Sequence, residues 1–347
     1  MKISGLLRWG LIGAVLALAL RLTRRGMSLA GKVVLITGGS RGLGLALARE
    51  FARRGARIAI VARDKAELDR AKEDLLQRGA EVWTGICDLR DREQISAAIR
   101  EVVSYFGGLD VLVNNAGLMT VGPVESMTDD DFDKALSVHF WAPYYAMNAA
   151  IPHLKGRDGR IVNIVSIGGK VALPHMAPYT ASKFALAGLS QAFRAELIKD
   201  GIKVTTVFPG LMRTGSHLNA LFKGKNEAEY RWFSLGVASP ASSISATRAA
   251  RQIVRAAQLG QPQLIVSFQA RLLALAAAIF PNLTGRALSA VNRSLPAMPE
   301  QDHEMRTGWE SQSGGIYSRL MHFADKAGES LNERRGHTSA ASERHDG

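Results

Sequence analysis

The residues best suited to chemistry in this 347-residue sequence lie in one stretch, from Ser166 to Lys183. Tyr179 and Lys183 are four residues apart at the start of a helix predicted to run to Leu197, so their side chains share one face. A cation beside a phenol favours the phenolate and lowers a pKa that is ordinarily about 10. Such a tyrosine suits proton transfer near neutral pH. Because Tyr and Lys at this spacing are also common on solvated helix faces, the interpretation depends on the rest of the chain.

Ser166 directly follows an apolar run, Ile161 to Val165, that predicts a buried strand. A strand followed by a helix places Ser166 at the strand's end, where its hydroxyl can meet the same substrate atom as Tyr179. The sequence therefore predicts a catalytic group of Ser166, Tyr179 and Lys183.

A glycine-rich turn is the second candidate site. It separates a predicted strand, Lys32 to Thr37, from a predicted helix, Leu45 to Arg54. Glycines let the backbone approach a diphosphate, and the helix N-terminus supplies amide donors and a positive dipole. The alternative is a tight turn that uses glycine only for its positive φ. The candidate cofactor-binding residues of this turn are Gly38, Ser40, Arg41, Gly42, Leu43 and Gly44.

The end of the second predicted strand, Arg57 to Ala62, indicates which dinucleotide is preferred. An acidic residue at this point accepts from a ribose 2′-hydroxyl, whereas arginine accommodates a 2′-phosphate. Here Ala62 is followed by Arg63, and Arg41 lies in the neighbouring turn, which favours NADP(H). Asp64 argues against this preference unless it caps the next helix.

Predicted strands and helices alternate through the chain, which favours an α/β fold with a doubly wound parallel sheet. One domain accounts for residues 31–267, and no internal repeat or second catalytic domain is evident. The remaining predicted strands are 81–86, 110–113, 203–208 and 263–267, and the remaining long helices are 65–78, 91–106, 128–154 and 240–259.

Taken together, these motifs resemble the short-chain dehydrogenase/reductase family over about residues 31–267. The matching residues are Thr37, Gly38, Gly42, Gly44, Asp88, the run Asn114-Asn115-Ala116-Gly117, Ser166, Tyr179, Lys183, Pro209 and Gly210. The resemblance implies a Rossmann-type three-layer α/β/α domain and nicotinamide-dependent oxidation or reduction of an alcohol or carbonyl. It also implies a homo-oligomer.

The resemblance further implies roles for individual residues. Asp88 and Leu89 would lie at adenine, and Asn115, Ala116 and Gly117 would line the cofactor, with Asn114 supporting that face of the sheet. Tyr179 and Lys183 would also contact the cofactor, Lys183 through the nicotinamide ribose. Pro209, Gly210 and Thr214 would embrace its carboxamide end.

His139 departs from the family pattern. The family usually has an asparagine at this position, where it helps to hold a water that passes protons to the lysine. A histidine can hold a water or titrate itself. The alternative is a helix residue that only packs, so His139 enters the catalytic set as a hypothesis.

Residues 1–30 form a distinct segment. Trp9 to Leu20 is an apolar run of twelve, with Arg21, Arg24 and Arg25 after it. The run is marginal for a spanning helix, which needs about 20 residues. No small-residue cleavage motif marks it as a removable signal. We therefore expect a membrane anchor, spanning or interfacial, with the domain facing the cytoplasm; a helix packed on the domain or a partner is the alternative.

The C-terminal part has two expected sections. Residues 268–297 contain an apolar run, Ala270 to Phe280, that is too short to span a bilayer. It would lie in the membrane interface, cover the substrate mouth or pack on the core. Residues 298–347 are polar and small, which predicts a largely disordered tail.

Composition limits the kinds of partner and cofactor that are expected. The net charge is +13, but apart from the N-terminus its cations are scattered, so no nucleic acid partner is expected. The single cysteine, Cys87, excludes an internal disulfide and a cysteine-based metal cluster, and no metal is expected.

The sequence thus predicts an NADP(H)-dependent enzyme that reduces an apolar ketone or aldehyde, lipid-, sterol- or acyl-like. The predicted specificity loop, residues 211–235, is rich in large apolar side chains that either bind such a substrate or pack the loop. The alternative function is a membrane-attached NADP(H)-binding scaffold with little turnover. A third alternative is that the protein works with a carrier-protein partner.

Overall fold

A seven-stranded parallel sheet forms the centre of the protein. The computed structural model describes residues 26–239, 242–298, 304–311 and 328–333. Its strands are β1 Val33–Thr37, β2 Arg57–Ala62, β3 Val82–Ile86, β4 Val111–Asn114, β6 Arg160–Ile164, β7 Lys203–Phe208 and β11 Gln263–Ile265. Their order across the sheet is β11-β7-β6-β4-β1-β2-β3, and every neighbouring pair is parallel.

Helices cover both faces of this sheet. All residues of β1, β4 and β6 are buried, as expected for parallel strands with two covered faces. Two large clusters of apolar side chains fill the space between sheet and helices, one on each side. The helices are α1 Gly42–Arg53, α2 Lys65–Gln77, α3 Arg92–Phe106, α4 Asp129–Leu136, α5 Ala142–Leu154, α6 Ala177–Leu197, α7 Asn226–Ala238, α8 Ala246–Leu259, α9 Phe268–Ile279 and α10 Pro281–Asn292. The predicted three-layer α/β fold is confirmed.

The strand order reverses between β1 and β4. Ligands of open α/β sheets bind at such a switch point, beyond the carboxyl ends of the strands. Six of the predicted site residues collect at this edge because each follows a strand. Gly38 follows β1, Arg63 follows β2, Asp88 lies just beyond β3, Asn115 follows β4, Ser166 lies just beyond β6 and Pro209 follows β7.

Short strands form two further sheets, one of two strands and one of three. They are β5 Thr120–Val121, β8 Leu211–Arg213, β9 Leu221–Phe222, β10 Ser243–Ser245 and β12 Arg306–Thr307. The long helix predicted over 128–154 is divided by a π-helical turn, Ser137–Trp141, which separates α4 from α5.

The extensions differ in part from expectation. The predicted anchor falls mainly on residues 1–25, which lie outside the described residues. No helix among the described residues is long and apolar enough to cross a bilayer. Residues 304–311 and 328–333 lie in the section expected to be disordered, yet they pack on the domain. There β12 pairs with β9, and Leu331 is buried in a core cluster.

Candidate active site

The glycine-rich turn adopts a conformation that other residues would not tolerate. Gly38 has φ 62°, and a Cβ on Gly44 would lie 2.0 Å from the carbonyl oxygen of Gly38. The N-terminus of α1 has no side-chain cap and no acidic residue in its first turn. A helix start without a side-chain cap, beside glycines, is a site for an anion, so these residues fit a dinucleotide diphosphate.

Thr37 and Asn115 hold the turn against the loop after β4. The Thr37 hydroxyl accepts hydrogen bonds from the backbone amides of Asn115 and Ala116. The Asn115 side-chain amide donates to the carbonyl oxygens of Thr37 and Gly38, at 3.1 and 3.0 Å. Asn115 therefore fixes the shape of the predicted diphosphate site through the backbone.

At the end of β2, Arg63 is exposed and Asp64 is already engaged. The Asp64 carboxylate accepts from the backbone amide of Glu67, 2.8 Å away, and so caps α2. The interpretation of Asp64 as a helix cap is confirmed. Because Asp64 is engaged in this way, no described acidic side chain at the end of β2 takes the position beside a ribose, and Arg63 is left to occupy it.

Arg41 lies in a polar network that the sequence did not indicate. Its guanidinium contacts the Glu67 carboxylate at 2.8 Å and the Glu333 carboxylate at 3.6 Å. Ser40 also donates to Glu67. Nothing in the sequence distinguishes Glu67 from other charged helix residues. Only its position facing the turn reveals that it pairs with Arg41 and Ser40.

Asp88, predicted to meet adenine, pairs with Arg90 at 2.6 Å. The hydrogen bond from Arg90 holds the pKa of Asp88 at about 2, and the charge of Arg63 acts in the same direction. Leu89 packs partly against one of the core clusters, and Leu43 is buried in the other.

Ser166, Tyr179 and Lys183 come together in a buried group. Tyr179 lies in the first turn of α6, and both its ring and the Ser166 hydroxyl lie against Gly168. The Lys183 ammonium donates to the carbonyl oxygen of Ile164 at 3.1 Å and lies 5.6 Å from the centre of the Tyr179 ring. A proton donor, a hydroxyl partner and an amine thus share one small volume.

The pKa values in this group differ from the expectation of an acidified phenol. Burial raises the pKa of Tyr179, and the nearby Ser166 side chain acts in the opposite direction. Burial also lowers the pKa of Lys183 to about 7. Without solvent the charged forms of both groups are disfavoured, so the amine's proton is weakly held near neutral pH.

His139 is fully buried in the π-helical turn and is hydrogen-bonded at both ring nitrogens. Nε2 accepts from the Leu118 backbone amide at 3.2 Å, so the neutral ring carries its proton on Nδ1. Nδ1 then donates to the Ser182 hydroxyl at 2.8 Å, and that hydroxyl donates to the Tyr179 carbonyl oxygen. Burial, with the charge of Lys183, holds the pKa of His139 well below its usual range.

His139 therefore links the loop after β4 to the helix turn that carries Tyr179. Gly117 lies directly against it, since a Cβ there would be 3.0 Å from Nε2. The described hydrogen bonds use both nitrogens within the protein, and participation of His139 in a proton relay stays a prediction.

The segment after β7 lies where a nicotinamide site is expected. The Pro209 carbonyl oxygen accepts from the Ile167 amide at 2.7 Å, which ties this segment to the one after Ser166. Gly210 lies against Ser267, and buried Thr214 donates to Ser216. Asn114, the expected support, donates to Asn163 at 2.8 Å.

An apolar cluster adjoins the catalytic tyrosine candidate. Its buried aromatic members from the predicted specificity loop are Phe222, Tyr230 and Phe233, and Tyr179 belongs to the same cluster. These loop aromatics pack on one another, with Phe222 and Tyr230 edge to face at 5.5 Å. The loop-packing interpretation therefore applies to them, while they give Tyr179 an apolar neighbourhood.

Comparisons with known proteins agree with this geometry. Residues 32–222 match the family described as short chain dehydrogenase. A dehydrogenase/reductase SDR family protein 7-like of Anopheles gambiae is 38% identical over 229 residues, 64% of this chain and 72% of that protein.

Solved structures agree as well. A dehydrogenase/reductase from Sinorhizobium meliloti 1021 is 32% identical with a TM-score of 0.62, covering 72% of this chain and 99% of that one. A metagenomic short-chain oxidoreductase in complex with NADP is 37% identical with a TM-score of 0.51, covering 54% and 85%. The chain belongs to the short-chain dehydrogenase/reductase family, whose members interconvert alcohols and carbonyls with a nicotinamide cofactor.

Proposed function

We propose that this protein is an NADPH-dependent reductase of an apolar ketone or aldehyde. The observation that carries the proposal is the buried group of Ser166, Tyr179 and Lys183 beside an apolar cluster. An apolar carbonyl compound suits this neighbourhood because its burial beside such side chains is favourable.

When bound, the nicotinamide supplies the hydride. Tyr179 donates its hydroxyl proton to the substrate oxygen as negative charge develops there. Ser166 hydrogen-bonds the same oxygen. Lys183 adjusts the pKa of the Tyr179 phenol and would hold a ribose hydroxyl of the cofactor. The glycine-rich turn and the start of α1 would hold the diphosphate, with Asp88 at the adenine end. The surrounding apolar side chains exclude water, which strengthens these polar contacts.

The choice of NADP(H) rests on Arg63. A guanidinium recognises phosphate through several donors, and Arg63 is exposed at the end of β2 with no competing acid there, since Asp64 caps α2. Arg41 already pairs with Glu67, which leaves Arg63 as the main contact for a 2′-phosphate. The NADP complex of a relative supports this choice.

We expect the protein to bind NADPH at least about tenfold more tightly than NADH, because one charge-assisted hydrogen bond is sufficient for that ratio. Arg63→Ala should remove most of the preference, and Ala62→Asp should reverse it by repelling the 2′-phosphate. Fluorescence titration of both cofactors at fixed salt measures the ratio.

Lys65→Ala is the matched control, since it removes an exposed cation two positions from Arg63 and should leave the ratio unchanged. Equal affinities for the two cofactors in the unmodified protein would refute the assignment. A screen of apolar ketones and aldehydes with both cofactors, followed by nicotinamide absorbance, then tests the reaction itself; turnover confined to polar substrates would contradict the substrate class.

Membrane attachment is a further part of the proposal. Large apolar side chains are exposed on α9, on α10 and at the junction between them, among them Phe268, Leu272, Leu275, Ile279, Phe280 and Leu283. Residues 268–298 carry Arg271, Arg286 and Arg293 and no acidic residue. Exposed apolar and basic side chains together favour binding to an anionic lipid surface. Residues 1–30 would add a membrane anchor that leaves the domain in the cytoplasm.

Deletion of residues 1–26 should move most of the protein from the membrane fraction to the soluble fraction, because it removes the apolar run. NADPH binding should persist. Should the shortened chain stay bound, Phe280→Asp with Leu283→Asp is expected to release it, whereas Ile198→Asp, an exposed site on another surface, should not. Full-length protein that is soluble without detergent would contradict the attachment.

A further inference from the structure

A short C-terminal segment, residues 328–333, is docked at the glycine-rich turn. Leu331 is 5% exposed and belongs to the apolar cluster that contains Leu43. Its carbonyl oxygen accepts from the Gly42 backbone amide at 2.9 Å. The segment thus uses an amide at the start of α1, where a dinucleotide diphosphate is expected.

Asn332 fastens the segment to the opposite side of the turn. Its side-chain amide donates to the carbonyl oxygens of Ser40 and Glu67, at 2.9 and 3.0 Å. Arg70 donates to its side-chain oxygen at 2.8 Å. Asn332 has φ 62°, a left-handed conformation that asparagine tolerates better than most residues. Three hydrogen bonds through one side chain make this a specific contact.

Glu333 places a carboxylate inside the cleft. Its Oε1 atom lies 2.6 Å from the point where a Cβ on Gly42 would be, and its side chain also lies against Gly215. Asn219 donates to this carboxylate, and Arg41 lies 3.6 Å from it. The side chain is buried and spans the space between the glycine-rich turn and the loop of Thr214.

We infer that residues 328–333 act as an internal competitor of the cofactor, occupying the diphosphate region until the segment leaves. This inference rests on the proposed cofactor site. The Glu333 carboxylate and the Leu331 carbonyl oxygen lie where phosphate oxygens would accept hydrogen bonds from the same donors. The protein therefore exists in a docked form that excludes the cofactor and an undocked form that binds it.

The measurable consequence is a weakened apparent affinity. If the segment is docked nine-tenths of the time, the apparent dissociation constant rises about tenfold, since only the undocked fraction binds. A chain that ends at residue 327 should therefore bind both NADPH and NADH about tenfold more tightly than the full chain. Fluorescence titration gives both constants.

A chain that ends at residue 333 is the matched control, because it loses the last fourteen residues and keeps the segment. It should bind like the full chain. Unchanged or weaker binding after removal of 328–347 would overturn the inference, and so would equal tightening in both shortened chains. The test is separate from cofactor preference, because docking alters both affinities together whereas Arg63 sets their ratio.

Point variants in the full chain give the same test without a truncation. Asn332→Ala removes three hydrogen bonds that hold the segment in place, so we expect tighter binding of both cofactors. A synthetic peptide of residues 328–333 added to the chain that ends at 327 should weaken binding again. Unchanged affinity in Asn332→Ala, or no effect of the peptide at millimolar concentration, would overturn the docking.

Discussion

Tyr179→Phe should lower turnover by a factor on the order of 10²–10⁴, the range that positioned proton transfer contributes. The substitution removes the proton donor and keeps the ring in its apolar cluster. NADPH affinity should change little, because the phenyl ring still fills the site. Initial rates at saturating NADPH, with fluorescence titration alongside, separate the two effects.

Tyr105→Phe is the control, since Tyr105 is 59% exposed on α3, away from the site. It should keep the full rate. If the Tyr179 variant retained more than a few per cent of the turnover, the tyrosine would not be the proton donor and Ser166 would become the candidate.

Lys183→Met should reduce turnover on the order of 10²-fold, the lower end for proton-transfer catalysis. Methionine fills the buried space and lacks the ammonium group, so packing is kept while the charge is lost. Cofactor affinity should fall about tenfold, because a charge-assisted hydrogen bond to ribose disappears. This joint loss distinguishes the variant from Tyr179→Phe.

The pH profile supplies a second readout for Lys183. Its pKa of about 7 means that the amine is protonated below that value and neutral above it. If the ammonium form supports proton transfer, reduction by the unmodified protein falls as the pH rises through 7. The Met variant should lack that step, and the same inflection in both proteins would assign it to another group.

Much of the fold could be predicted because its signals are local. The glycine pattern at Gly38 and Gly44, the helix cap at Asp64 and the apolar strand runs each depend on neighbouring residues. The π-helical turn at His139 could not be predicted, since one extra residue per turn leaves little trace in an apolar helix sequence. Its hydrogen bonds to Leu118 and Ser182 join separate elements, so they emerge only on folding.

The pKa values of the candidate site could not be predicted from the sequence either. The spacing of Tyr179 and Lys183 predicts their proximity, but their pKa values depend on burial by residues far along the chain. Gly117, for example, lies beside the Lys183 ammonium, since a Cβ there would be 3.8 Å from Nζ. The polar composition of the tail gave no sign of docking either, because three anchoring residues are too few to alter it.

The docked segment also has a consequence for biosynthesis. Asn332 and its partner Ser40 are 292 residues apart, so the ribosome makes Asn332 long after Ser40. Chains fold from the N-terminus during synthesis, so the nucleotide cleft can form before its internal competitor exists. A newly made molecule would then meet cellular cofactor in the open form before the segment could compete for the cleft.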